Sequence, residues 1–128
     1  MAAPNIVNVT TITGTSSFST GITTSTSNVT VLVSNAANSN QVYKVNTILA
    51  SNTSAAVATV TVRTFNAAAG AGTSTNIAYS ISIPVGSTLA VLGKDTPIYL
   101  PENTSIGAFV GAGNTNAVDI VTSYEVIS

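Results

Sequence analysis

Apolar residues recur at every second position in segment after segment of this chain, and a two-residue period suits strands with one buried side, not helices. In residues 76–83, Ile77, Tyr79, Ile81 and Ile83 alternate with Asn76, Ala78, Ser80 and Ser82. Val29, Val31 and Val33 likewise oppose Leu32, and Ala58, Val60 and Val62 oppose Thr59, Thr61 and Arg63. Ile106, Ala108 and Val110 share a face, and at the end Val118, Ile120, Thr122, Tyr124 and Val126 oppose Asp119, Val121, Ser123, Glu125 and Ile127. Residues 41–51 differ. Tyr43, Val45, Thr47 and Leu49 fall on one side and Val42, Lys44, Asn46 and Ile48 on the other, so both sides are partly apolar. Such a segment is a central strand or has one face against a neighbour. No stretch has a 3.6-residue period with helix caps.

Turn chemistry divides these segments. Pro84 presets a corner completed by Gly86, which predicts a hairpin between 76–83 and the following TLAVL. A second proline turn at Pro101, Glu102 and Asn103 separates IYL from SIGAFVGA, and GNTN at 113–116 signals another hairpin. NAANSN at 35–40 is a turn cluster, while NAAAGAGTST at 66–75 reads as a flexible, low-complexity connection. A first strand is expected over residues 6–13, followed by a Ser/Thr-rich loop over 14–27 with a short strand inside it. Residues 1–5 form an arm, because Pro4 cannot donate to a ladder. The whole predicts one all-β domain over residues 1–128, a single sandwich of roughly eight or nine strands, jelly-roll-like or Greek-key.

Composition narrows what such a domain can do. Charged residues are 5% of the 128 and the formal net charge is −1, so there is no electrostatic footprint for nucleic acid or an anionic membrane. Copies of a nearly neutral chain repel one another little, which favours close packing over life as a soluble monomer. No apolar run approaches the roughly 18 residues of a spanning helix. The start has neither a basic region nor a continuous apolar one, so synthesis is expected in the cytoplasm.

The chain has no histidine and no cysteine, which removes the commonest bases, nucleophiles and metal ligands. Asp95, Glu102, Asp119 and Glu125 are its only side-chain carboxylates and lack calcium-loop spacing. The Gly-rich NAAAGAGTST has no Walker lysine. The four Asn-x-Ser/Thr sequons are chance in a chain so rich in those residues. We expect neither an enzyme nor a cofactor or metal requirement.

Three stretches carry a family resemblance: PVGSTLAVL at 84–92, KDTPIYLPENTSI at 94–106 and the terminal SYEVIS from Ser123. With the weaker MAAPNIVNVTTITG and QVYKVNTILASN, their order and the chain length resemble small virion structural proteins of tailed phages, particularly phages of marine cyanobacteria. The resemblance implies a particle component made in the bacterial host cytoplasm and located in the virion. It favours a head decoration or cement protein bound in many copies to the major capsid protein or another virion protein, and a homotrimer. A tail, baseplate or fibre subunit is the alternative within that class. A carbohydrate- or cell-surface-binding module is the alternative outside it, on fold analogy alone.

Candidate contact residues follow from the residues themselves. Pro4, Ile6, Val7 and Val9 can reach a neighbour's sheet edge by strand addition. Val42, Tyr43, Val121 and Ile127 belong to the two strands with apolar groups on both sides, where subunit contacts are expected.

Overall fold

The computed structural model describes residues 8–128. Nine antiparallel strands follow one another: β1 (Ile12–Ser19), β2 (Thr30–Asn35), β3 (Val42–Asn52), β4 (Ala58–Phe65), β5 (Ser74–Ile83), β6 (Thr88–Leu92), β7 (Ile98–Leu100), β8 (Thr104–Val110) and β9 (Val118–Ile127). Their pairing is nested. β1 pairs with β9, β2 with β8, β3 with β6 and β7, and β4 with β5. The chain is therefore one long hairpin, folded at the β4–β5 turn and rolled up so that alternate pairs fall into two sheets. The first sheet has the order β1-β9-β3-β6, with β7 also on β3, and the second β2-β8-β4-β5. This is the strand order of a jelly-roll sandwich.

Alternation places the core between the sheets. Val45, Ile48 and Ala50 of β3 and Val118 and Ile120 of β9 meet Val60 and Val62 of β4 and Ile106, Ala108 and Val110 of β8, all at 1% exposure or less. β3 is central as expected, flanked by β9 on one side and by β6 and β7 end to end on the other.

Two buried asparagines fasten one sheet to the other where strands end. Asn35, closing β2, donates from Nδ2 to the carbonyls of Gln41 (2.9 Å) and Leu100 of β7 (3.1 Å). Asn52, closing β3, donates to those of Ala56 (2.7 Å) and Ile83 of β5 (2.9 Å), while its Oδ1 accepts from Ser54. A buried amide so fully paired stabilises, whereas the same amide left unpaired costs about 1–3 kcal/mol.

The structure corrects several sequence expectations. The first strand among the described residues starts at Ile12 and occupies part of the expected loop; residues 8–11 of the strand expected over 6–13 are not in a strand, and residues 6 and 7 lie outside the described residues. Its side chains are mostly exposed, so no apolar alternation marks it; backbone pairing with β9 makes it a strand. The turn after β5 does form, with Ser87 N–H donating to Pro84 O at 3.1 Å and Gly86 at φ +71°, but it does not close a hairpin. It carries the chain from the second sheet to the first. The GNTN turns likewise join β8 to β9 across the sandwich. The sequential hairpin within a sheet is β4–β5, around the supposed flexible connection.

Bulges account for the rest. An extra residue at Leu32 turns both Leu32 and Val33 inward and leaves Val31 outside. A register shift between Val45 and Thr47 brings Ile48 into line with Val45. In β5, an edge strand, Ile83 is buried while Ile81 on the same face is 39% exposed, and beyond Ile81 two register shifts break the expected face, leaving Tyr79 64% exposed. There Ser80 N–H donates to Thr61 Oγ1 at 3.0 Å instead of to a ladder carbonyl. Each bulge adds one residue and so reverses the facing of everything beyond it.

Candidate functional site

Register across the first sheet assembles residues that are far apart in the chain into rows on its outer face. Phe18 of β1 pairs with Val121 of β9, Val121 with Leu49 of β3, and Leu49 with Ala90 of β6. These four form one apolar row over four strands, and Phe18, Val121 and Leu49 are 77%, 40% and 39% exposed. The next row, Ser16, Ser123 and Thr47, is all hydroxyl. On the opposite side of the apolar row lie Asp119, Ser51 and Thr88, where the Ser51 and Thr88 hydroxyls are 2.9 Å apart. Asp119 is engaged locally, its Oδ1 accepting from Gly21 N–H at 3.2 Å. Lys44 and Glu125 are register partners two rows from the apolar one, so their charges oppose each other within the face.

The expected contact residues separate clearly in this geometry. Pro4, Ile6 and Val7 lie outside the described residues, and Val9 is half-buried. Val42 and Ile127 are register partners but only 6% and 3% exposed, so their apolar groups are consumed within the chain and offer no contact surface. Tyr43 packs against the core and stacks on Tyr124, ring centroids 5.5 Å apart. Burial, then the neighbouring Tyr43, raises the Tyr124 phenol above its ordinary range. Val121 alone among the four strand residues is well exposed. Phe18 and Leu49, its partners in the row, were missed because their strands carry no local sign of being side by side.

A second feature is a cleft of about 300 Å³ between β7 and the base of the β4–β5 hairpin. Thr64, Phe65, Asn66, Thr73 and Thr75 form one wall, and the run from Ile98 to Pro101 with Thr104 forms the other. Glu102, which follows Pro101 in the chain but does not line the cleft, has its Oε1 buried without a hydrogen-bond partner among the described residues, and the same holds for Thr122 Oγ1 on β9. Among those residues no three side chains of metal-ligating type converge, and no helix is long and apolar enough to cross a membrane. Comparison with known families, characterised proteins and solved structures finds no match.

Proposed function

We propose that this protein is a structural component of a tailed-phage particle: a head decoration protein that coats the outer capsid in many copies and associates with itself, as a trimer, through the outer face of its first sheet. The particle and the trimer come from the resemblance of 84–106 and the C-terminal strand to small virion proteins. The observation that carries the self-association is the row Phe18, Val121, Leu49 and Ala90, itself uncharged, with hydroxyl residues on one side and Ser51, Thr88 and the locally engaged Asp119 on the other. Full burial of a side chain such as Phe or Leu contributes about 1.5–3 kcal/mol, before association entropy takes its share. Double-sheet jelly rolls are common in viral capsids, which is compatible with this reading as fold analogy.

Sedimentation of the wild-type protein and of a Phe18→Ser/Leu49→Ser variant tests the association. The wild type should be oligomeric and keep its size as salt rises, because so few ion pairs are available to screen, and the variant should dissociate at least about tenfold more readily. A wild-type monomer at micromolar concentration, or a variant with unaltered assembly, overturns the role of this face. Antibody-labelled electron microscopy of the source particle then separates shell from tail, and label confined to the tail overturns the decoration role.

A further inference from the structure

We infer that the cleft between β7 and the β4–β5 hairpin binds a neutral saccharide, taking one sugar unit or the end of a glycan. The cleft opens at the edge of the sandwich; its Tyr99 pairs with Lys44 and so borders the outer face of the first sheet, but lies away from the row of Phe18, Val121, Leu49 and Ala90.

The lining chemistry selects the ligand. None of the chain's seven Lys, Arg, Asp and Glu side chains lines the cleft. A charged ligand entering it would lose hydration and gain no counter-charge. A purely apolar ligand is equally disfavoured, because the walls carry four threonines and an asparagine that it would cut off from water. Thr64 Oγ1 already donates to Thr75 O (3.3 Å) and Thr104 Oγ1 to Pro101 O (2.6 Å), which leaves both oxygens as acceptors. Asn66 Oδ1 accepts from Thr73 N–H at 2.7 Å, which holds the amide in place and leaves its Nδ2 to donate. Among the described residues, no protein group bonds the hydroxyls of Thr73, Thr75 or Tyr99.

Fixed acceptors beside free groups that both donate and accept match a ligand whose own hydroxyls do both. The aromatic component is Tyr99, 46% exposed, which pairs with Lys44 on the outer side of β7 and stands at the rim of the cleft, where its ring can cover the C–H face of a bound sugar. At about 300 Å³ the space lies at the bottom of the usual range for ligand pockets, roughly 300–1,000 Å³, hence one sugar unit and not an extended chain. The site also has a firm base. Asn66 N–H donates to Thr73 O at 3.1 Å, closing the hairpin neck on that wall.

Titration by NMR against glucose, galactose, mannose and N-acetylglucosamine, with N-acetylneuraminic acid as the charged control, tests the assignment. At least one neutral sugar should give saturable shifts centred on Thr73, Thr75 and Tyr99, and the acid should not. Tyr99→Ala and Thr75→Val should each weaken binding about tenfold or more, with the melting temperature of Thr75→Val held near wild type as the check on folding. No saturable shifts with any neutral sugar, preference for the acid, or unchanged affinity in a folded Thr75→Val variant together with Tyr99→Ala overturns the proposal.

Discussion

The two sheets share a core, yet the outer side of β4 and β8 in the second and that of β1, β9 and β3 in the first are finished in opposite ways. On the second sheet, Phe65 and Phe109 point outward and are still only 7% and 8% exposed. Val29 lies over Gly107 beside the Phe65 ring, and the Arg63 guanidinium sits 4.7 Å from the centre of the Phe109 ring while its Nε–H donates to Asn76 Oδ1. The β4–β5 loop is tied down across the same sheet. Ala69 N–H donates to Ser34 Oγ and Gly70 N–H to Ser105 Oγ, both at 2.9 Å, and Ser105 Oγ donates to Ala67 O at 2.7 Å. On the first sheet, the equivalent surface leaves Phe18, Val121 and Leu49 bare. Aromatic residues on an outer face thus mean opposite things: a second, small core where the chain covers them, and an unsatisfied surface where it does not.

Substitutions on the two faces should separate these meanings. The largest effect is expected from Phe65→Ala, which removes the ring beneath Val29. It should cost about 3 kcal/mol, read as a melting temperature lower by roughly 10 °C. A loss below about 1 kcal/mol would mean that the covered face is not a packed layer. Gly107→Ala comes next. A Cβ there would stand 2.5 Å from Val29 Cγ2 and 3.3 Å from Thr30 O, so the cover must lift or shift. A cost of about 1–2 kcal/mol in denaturant unfolding is expected, and a neutral result would show that Val29 moves aside freely.

The smallest effect belongs to Leu49→Ser on the bare face. Measured on dissociated protein, it should cost no more than about 1 kcal/mol, because the side chain is 39% exposed and only part of its burial within the chain is lost. A loss as large as that of Phe65→Ala would erase the contrast between the faces.

How much of this could be read from the residues varies by element. β4, β8 and β9 were legible as strands, because each alternates apolar residues toward the core, although that alternation carried no sign that the outer sides of β4 and β8 are covered as well. β1 was not, since an edge strand with exposed Ile12 and Phe18 lacks that pattern. The β4–β5 loop was misread as slack because Ala and Gly carry no polar side chains. Its anchors are its own backbone groups, met by Ser34, Asn103 and Ser105 from elsewhere. Pro84 and Gly86 marked a real turn, but a turn motif specifies only a change of direction, not whether the next strand joins the same sheet.

The sequence by itself determined that this chain is an all-β sandwich, where most strands lie and that its surface carries almost no charge, because periodicity, turn residues and composition are local properties. Only the tertiary structure decided which strands pair, and pairing is what nests β1 with β9 and β4 with β5. It also decided facing, since an unannounced bulge at Leu32 or between Val45 and Thr47 inverts all that follows. The apolar row and the cleft both depend on those two decisions. Phe18, Leu49 and Val121 become neighbours through register alone, and Thr75 and Tyr99 come to border one cleft through the rolling of one sheet over the other.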